Sequence, residues 1–222
     1  MGFGIYATQQ MYLSDIQQDN AQEYLEKIYL GEDIDALEQP ENILNPLNIF
    51  QSDIPVFDML QDFTVIDQVQ RIEEYKPSVF GLLEIPEINV NQYVVSGTDD
   101  LSLQFGPGYY LGTNLPGSGG NVGIAGHRTT YGAPFSQLDL VEIGDEILLT
   151  VGSNKYHYKV DEVEIVDAVS GSYVLYNRGD DRITLTTCHP KYSARQRLVV
   201  SGILHRIETV SYTHLTLPTI LS

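Results

Sequence analysis

The feature that most limits the fold of this chain is a succession of short strand-like runs after Pro77, separated by tight turns. Many short strands at fairly regular spacing, with few helices between them, predict an all-β fold, a closed or nearly closed β-barrel. The stretch 101–120 is rich in glycine and is predicted to be a loop with one helical turn. The predicted strands cover residues 81–88, 92–96, 121–125, 146–151, 156–160, 162–166, 182–187 and 197–207.

The first third of the chain differs from the rest in charge. Residues 1–75 hold 15 acidic and 2 basic side chains and so carry most of the net charge of −18. We interpret them as an acidic spacer with a helix over 17–29 that stops at Gly31, an irregular linker over 39–58 and a short helix over 59–72. The shortage of basic side chains argues against nucleic acid as a partner, because phosphate binding needs a basic face.

The two ends of the sequence are interpreted separately from the fold. Residues 1–7 form a short apolar run, far below the roughly 20 residues of a membrane span, and we interpret them as the outer stub of a membrane anchor. Residues 210–222 resemble a sequencing adapter translated as if it were gene, so a non-native tail is expected there. Residues 76–209 are then the domain that carries the function.

Cys188 is the only cysteine of the chain, so it has no partner for an intramolecular disulfide. It follows a β-branched run, with His127 far upstream and arginines just downstream. A free thiol has a pKa of about 8.5 and becomes a good nucleophile when positive charge lies nearby. These residue types fit covalent thiol catalysis. The residues alone leave open that Cys188 is a small buried apolar side chain, as most free cysteines are.

Two longer segments resemble the sortase family, the cysteine transpeptidases of Gram-positive surfaces. Residues 123–135 read Gly-Ile-Ala-Gly-His-Arg-Thr-Thr-Tyr-Gly-Ala-Pro-Phe, and residues 185–200 begin Leu-Thr-Thr-Cys-His-Pro. The segment from His127 onward is most similar to the class E sortases of actinobacteria. The resemblance covers roughly residues 80–207. It implies an eight-stranded sortase-type β-barrel with short helices, and an enzyme that uses neither a cofactor nor a metal.

The resemblance also implies roles for individual residues. Cys188 is expected to attack a C-terminal sorting motif of the Leu-(Ala/Pro)-x-Thr-Gly type after its threonine, forming a thioester. His127 is expected to protonate the leaving amine and then deprotonate the incoming one. Arg197 is expected to stabilise the oxyanion or position the substrate backbone. Tyr131 and Thr187 are expected to contact the substrate, Tyr131 because it matches a tyrosine associated with alanine in the motif.

The partners implied by the resemblance are secreted proteins with a C-terminal sorting motif and the amine of lipid II or of a peptidoglycan cross-bridge. A membrane partner is implied as well, through an N-terminal anchor of which the chain as written keeps only the stub. The enzyme is therefore expected on the extracytoplasmic side of the plasma membrane. The chain lacks the Asp-Pro-aromatic lid motif of pilin-building sortases, which favours housekeeping anchoring.

Several residues near the predicted site have more than one interpretation. Arg195 competes with Arg197 for the cationic role, and the family match selects Arg197. His189 stands where class E members commonly have asparagine, and on a strand it should face away from the thiol unless the next proline turns the chain. Arg128 is interpreted as structural or solvent-facing. Four apolar residues could line a substrate groove or belong to the core: Val122, Ile124, Leu185 and Val199.

The sequence has other candidates for function away from this site. His157 and His205 are interpreted as structural. The acidic clusters at residues 142–146 and 161–164 could bind calcium, although solvated turns are the favoured interpretation because carboxylates prefer the surface.

Two rival functional classes remain at this level. Other cysteine enzymes, the papain-like hydrolases and the L,D-transpeptidases, need Cys-Gly-x-Cys and Ser-x-Gly-Cys motifs, and the chain has neither. A peptidase that hydrolyses the same thioester with water stays open. A non-catalytic surface binding module on the same fold also stays open, although the trio of His127, Cys188 and Arg197 argues against it.

Overall fold

The computed structural model describes residues 77–210 and, of the acidic segment, residues 21–31 without positions 24 and 28. The predicted anchor stub, the linker, the helix over 59–72 and the tail after residue 210 lie outside the described residues. Within the described part, none of the helices has both the length and the apolar character needed to cross a membrane.

Eight strands close into a barrel in the order β1-β2-β3-β4-β7-β8-β6-β5, which confirms the predicted all-β barrel with few helices. Most neighbours are antiparallel, but β2 and β3 are parallel, as are β4 and β7. The strands are β1 (Val79–Ile85), β2 (Val90–Ser96), β3 (Gly108–Tyr109), β4 (Asn121–Ala125), β5 (Glu146–Val151), β6 (Asn154–Asp167), β7 (Arg182–His189) and β8 (Gln196–Thr209). The helical turns are Pro86–Ile88, Ser102–Phe105, Leu138–Leu140 and Gly171–Leu175.

Several predicted strand bounds differ from the structure, among them the strand predicted over 81–88, which ends at Ile85 because Pro86 begins a helical turn. The number of strands was wrong in two further places. The strands predicted on either side of Asp161 are one strand, β6, whose pairing with β8 shifts register between Val160 and Glu162. This irregularity interrupts the alternation and looks like a turn in the sequence. The two-residue strand β3 lies inside the predicted loop over 101–120, because two residues are too few to show a period.

The barrel interior is filled by aliphatic side chains from the inward faces of the strands. Val122, Ile124 and Leu185 are completely buried in this core, and Phe135 and Leu138 enter it from the segment after β4. Val199 is also buried, in a smaller cluster with Val166 and Val174 on the outside of the barrel. Val122, Ile124 and Leu185 therefore belong to the barrel core, and Val199 to the separate buried cluster outside it.

The helix of the acidic segment packs against the outside of the barrel. Of the helix predicted over 17–29, residues 17–20 lie outside the described residues, and positions 21–23, 25–27, 29 and 30 are helical. Gly31 follows in the left-handed conformation at φ 72°, as the predicted stop requires. Ala21 and Leu25 are buried against β2 and the short helix after it. The Gln22 amide nitrogen donates to the Phe105 carbonyl at 2.8 Å, and its amide oxygen accepts from the Tyr93 N–H at 2.6 Å. This part of the acidic segment is therefore attached to the domain.

Strand β7 separates an inner from an outer face, which determines where the site lies. Ile183 and Leu185 point into the core, so the intervening residues point outward. Outside the barrel, the Thr184 hydroxyl donates to the Asn121 side-chain oxygen at 2.9 Å, and the Thr186 hydroxyl lies 2.9 Å from the Tyr110 hydroxyl. Cys188, two positions beyond Thr186 on β7, therefore also faces outward.

Candidate active site

Cys188 lies near the end of β7, directly opposite Arg197 on β8. Opposite residues of an antiparallel pair have their side chains on the same face, with Cβ atoms about 4.5–5.5 Å apart. The Arg197 guanidinium donates to the carbonyls of Ala194 at 2.9 Å and Gln196 at 3.1 Å, which fixes it over the β7–β8 turn. Arg195 precedes β8 and has no such position, so the geometry favours Arg197 as the cation beside the thiol.

His127 is brought to the thiol by the parallel pairing of β4 with β7. The last paired residues are Ala125 and Thr186, and the Gly126 N–H continues the ladder by donating to the Thr186 carbonyl at 3.1 Å. Two positions beyond that last pair lie His127 and Cys188, and alternation places both side chains on the outer face. Strand pairing thus joins two residues that are 61 positions apart in the sequence.

Thr187 holds these two ends together instead of facing solvent. Its side chain is only 2% exposed, and its hydroxyl donates to the Gly126 carbonyl at 2.7 Å. The bond therefore links the residue before Cys188 to the residue before His127. In this position the threonine supports the site from within.

The segment after His127 closes into a compact loop around an aromatic residue. The Phe135 N–H donates to the His127 carbonyl at 3.0 Å, and the Phe135 ring lies so close to Gly126 that a Cβ atom there would be 2.5 Å from it. Tyr131, at the far end of the loop, has a left-handed backbone at φ 51°. Its ring centroid lies 5.2 Å from that of His127. The glycine and the phenylalanine of the motif thus shape the loop that presents His127.

The environment of His127 keeps its imidazole neutral near pH 7. Its Nε2 atom is buried and has no hydrogen-bond partner among the residues that the structure describes. Burial lowers the pKa of His127 from its ordinary value of 6.5, and the negative charge of Asp100 partly offsets this by raising it. A neutral ring with an unpartnered nitrogen can take a proton from a thiol or a substrate group, as a general base must.

Arg128 is buried behind the site, so the structural interpretation of this residue is confirmed and the solvent-facing one is wrong. It is 4% exposed. Its guanidinium donates to the Cys188 carbonyl at 3.2 Å and to Nδ1 of His189 at 2.9 Å, and it pairs with Asp139 at 3.0 Å. In the sequence, only strand alternation indicates this contact. Because His127 and Cys188 face outward, the residues that follow them, Arg128 and His189, lie together on the opposite face.

His157 and His205 belong to a charged network far from the thiol. His157 is buried and lies 3.3 Å from Glu208, and the exposed His205 lies 3.6 Å from Glu146. His157 pairs with Arg206 in the β6–β8 ladder. That position is nine residues along β8 from Arg197, or about 30 Å at the usual strand rise. These contacts fit the structural interpretation of both histidines.

The acidic clusters form turns and ion pairs. In the described residues, no group of three or more histidine, cysteine, aspartate or glutamate side chains has an arrangement that could hold a metal ion. The Asp145 carboxylate accepts from the Glu142 N–H at 2.8 Å within one turn. Glu162 pairs with Arg178 at 2.6 Å, at the protein surface.

Comparisons of the sequence and of the structure with known proteins all identify the same family. A sortase domain model matches residues 83–205. Sortase D of Bacillus subtilis is 32% identical over 142 residues, which are 61% of this chain and 70% of that protein. Sortase SrtE1 of Streptomyces coelicolor is 34% identical over 138 residues, which are 55% of this chain and 39% of that protein. The solved structure of sortase E from Streptomyces avermitilis superposes with a TM-score of 0.55 at 30% identity, covering 61% of this chain and 93% of that one.

Proposed function

This chain belongs to the sortase family of cysteine transpeptidases, and we propose that it cuts a C-terminal sorting motif after its threonine and joins that threonine to a cell-wall amine. The observation that carries the proposal is the convergence of three side chains at one end of β4, β7 and β8. Cys188 and Arg197 are direct cross-strand partners, and the parallel ladder leads His127 to the same face.

The first chemical step forms a thioester. The sulfur of Cys188 bonds to the carbonyl carbon of the motif threonine, and the carbonyl π electrons move to the oxygen. Arg197, held by two backbone carbonyls, supplies positive charge where this oxyanion develops. A fixed donor of this kind commonly contributes two to three orders of magnitude to the rate, or roughly 3–4 kcal/mol.

His127 moves the protons of both steps. Its neutral imidazole accepts the thiol proton, and the resulting imidazolium gives that proton to the nitrogen of the leaving amine when the carbon–nitrogen bond breaks. In the second step the imidazole takes a proton from the incoming amine, whose nitrogen replaces the sulfur at the carbonyl carbon. The buried and unpartnered Nε2 atom supports this role.

We propose that the loop that carries Tyr131 contacts the substrate. This ring lies beside His127, on the face where a peptide would reach the thiol, and we propose that it contacts the second position of the motif. The contact between Thr187 and the substrate stays a prediction. Its burial and its bond to Gly126 favour support of the site over direct contact.

Sortases act at the cell surface of Gram-positive bacteria, and we propose the same location for this chain, on the extracytoplasmic side of the plasma membrane. The donors would be secreted proteins with a C-terminal sorting motif, and the acceptor would be an amine of lipid II or of the peptidoglycan cross-bridge. In this proposal residues 76–209 are the catalytic domain, residues 1–75 an acidic spacer that begins with an anchor stub, and residues 210–222 a non-native tail.

The proposal is tested by incubating the protein with a Leu-Ala-x-Thr-Gly peptide and triglycine and analysing the products by mass spectrometry. The expected product is the new amide, with an acyl-enzyme at Cys188 as its intermediate. Free acid in place of the amide, at saturating triglycine, would indicate a hydrolase. Absence of an acyl-enzyme under all conditions would exclude the enzymatic function.

Matched substitutions assign the residue roles in the same assay. Cys188→Ala is expected to abolish the acyl-enzyme. Arg197→Ala is expected to lower kcat/KM by about 100- to 1000-fold, whereas Arg195→Ala, two residues away, should leave it within about threefold. His205→Ala serves as the histidine control for His127→Ala, because it removes a surface imidazole far from the thiol.

A further inference from the structure

The side of the site that faces away from the substrate holds a second pair of side chains, Arg128 and His189. One guanidinium nitrogen of Arg128, Nη1, lies within hydrogen-bond distance of both the Cys188 carbonyl and His189 Nδ1, at 3.2 and 2.9 Å. The other terminal nitrogen, Nη2, pairs with Asp139. The buried side chain of Arg128, the residue after His127, thus contacts both Cys188 and His189.

We propose that Arg128 is a positioning residue for the nucleophile, and that His189 completes this clamp as an obligatory hydrogen-bond acceptor. The clamp is defined here as the contacts of Arg128 with the Cys188 carbonyl and with His189 Nδ1. The proposal rests on the proposed role of Cys188, and it adds a requirement for two residues that do not touch the substrate.

The burial of Arg128 explains why these contacts matter. Removing a guanidinium from water costs several kcal/mol unless ion pairs and hydrogen bonds replace the lost solvation. Asp139 supplies the charge, but its side chain is 45% exposed and therefore gives a weak ion pair. Much of the compensation must come from the Cys188 carbonyl and the His189 ring. The Nε atom of Arg128 has no partner among the described residues, so within them only the terminal nitrogens of Arg128 donate hydrogen bonds.

The chemistry of the donor determines the state of His189. A guanidinium can only donate hydrogen bonds, so the Nδ1 atom facing it must be an acceptor. In this contact His189 accepts at Nδ1, which places the hydrogen of its ring on Nε2. An asparagine at this position would offer an equivalent acceptor, because its Oδ1 is bonded to Cγ as Nδ1 is in histidine. A leucine would fill similar space with no acceptor.

The clamp acts on the thiol through the backbone. A hydrogen bond to the Cys188 carbonyl restricts rotation of the peptide unit that follows Cα, and this limits the directions in which Sγ can point. The same arginine follows His127 in sequence, so the clamp also fixes the spacing of the imidazole and the thiol. Displacement of a reacting group by about 1 Å can reduce a rate by about 100-fold.

The decisive experiment compares His189→Leu with His189→Asn, which differ in whether an acceptor faces Arg128. Two readouts are used: the rate at which iodoacetamide alkylates the protein, which reports Cys188 alone because the chain has no other cysteine, and kcat and KM for the sorting peptide with triglycine. We expect His189→Asn to stay within about threefold of the wild type. His189→Leu should lower the alkylation rate and kcat by about 10- to 100-fold with little change in KM.

Arg128→Met and Arg128→Lys test the donor side of the clamp. Methionine keeps an unbranched side chain in a buried place, and the partly exposed Asp139 is not left as a buried charge. We expect Arg128→Met to behave like His189→Leu and Arg128→Lys to recover part of the rate, since an ammonium can donate to one of the two acceptors. Asp139→Asn is the control for the ion pair and should stay within about threefold of the wild type.

Thermal unfolding separates positioning from folding. The clamp is supported if His189→Leu is slower than His189→Asn at a temperature where both proteins are fully folded, even if the leucine variant unfolds at a lower temperature because the buried guanidinium has lost an acceptor. It is overturned if the two variants react equally, or if every loss of rate follows a loss of folded protein. A wild type that alkylates normally but forms no acyl-enzyme would contradict the proposed function. The clamp would then still be judged from the alkylation rates of the two His189 variants.

Discussion

The hydroxyl of Thr187 donates to the carbonyl of Gly126 at 2.7 Å, at the point where the parallel ladder of β4 and β7 ends. The last backbone pair of that ladder is one residue earlier on each strand. Next to His127 and Cys188, a side-chain hydrogen bond therefore connects the two chain segments. This hydroxyl therefore helps to set the relative placement of the two proposed catalytic residues.

Replacing Thr187 with valine tests this dependence. Valine has the same shape but no hydroxyl, so the Gly126 carbonyl loses a donor in a buried place, at a cost of about 1–3 kcal/mol. We expect a lower free energy of unfolding in urea and a lower kcat. Thr187→Ser keeps the hydroxyl and should retain most of both. A Thr187→Val protein of unchanged stability whose KM alone rises would instead indicate contact with the substrate.

Gly126 is required because the ring of Phe135 occupies the place of a side chain. A Cβ atom at this position would lie 2.5 Å from the ring, so Gly126→Ala must displace either the ring or the loop that carries His127. We expect a loss of about 1–3 kcal/mol in stability, as for other overpacked cores, together with a strong loss of acyl-enzyme formation. Unfolding in urea and intact-protein mass spectrometry measure the two effects.

The matched control for Gly126→Ala is the double variant with Phe135→Leu. Leucine is smaller than the ring and leaves room for the added methyl group. We expect the double variant to be more stable than the sum of the two single losses predicts, since the two changes compensate at one contact. Purely additive losses would show that the contact does not limit the loop.

The pKa of His127 gives a prediction with a defined sign. Burial lowers it from 6.5 and the charge of Asp100 raises it in part, so Asp100→Asn should lower it further. An NMR titration of the imidazole measures both proteins, and Asp145→Asn, in a different turn, is the control. A pKa that rises in Asp100→Asn would contradict this account of the electrostatics.

The same shift makes the folded state sensitive to acid. The native protein resists protonation of His127, whereas the histidine of the unfolded chain protonates near pH 6.5. The unfolded state therefore binds more protons between the two pKa values, and the contribution of His127 to stability is complete above pH 6.5 and declines below it. Replacing His127 with glutamine should weaken this decline in urea unfolding experiments between pH 7 and 5. An unchanged decline would assign it entirely to other groups.

The sequence predicted the fold better than it predicted the contacts that build the site. Strands β4 and β5 match their predicted bounds, because their ends coincide with glycine-containing turns. The bulge in β6 was not predicted, because a register shift depends on the partner strand. Gly202 lies opposite that irregularity, where a Cβ atom would be 3.0 Å from the Lys159 carbonyl.

For the site, family resemblance selected Arg197 over Arg195, and the start of β8 at Gln196 gives a physical reason. Only Arg197 has a cross-strand position opposite the thiol. The clamp could not be predicted from the sequence, because the contacts of Arg128 with Cys188 and His189 span 60 and 61 positions. Neither composition nor spacing indicates a contact over that distance before the strand order is known.

The helix of the acidic segment supports a final prediction about the stability of the domain. Leu25 is completely buried against the barrel, and truncation of such a leucine usually costs about 2–5 kcal/mol. Here the loss cannot exceed the free energy that holds the helix on the barrel, because the helix can detach while the barrel stays folded. We therefore expect Leu25→Ala to increase hydrogen exchange at the Tyr93 N–H, which donates to Gln22, more than exchange in the β7–β8 ladder. Glu26→Ala, on the exposed face of the same helix, should change neither. Equal increases across the barrel would show instead that the helix and the barrel unfold as one cooperative unit.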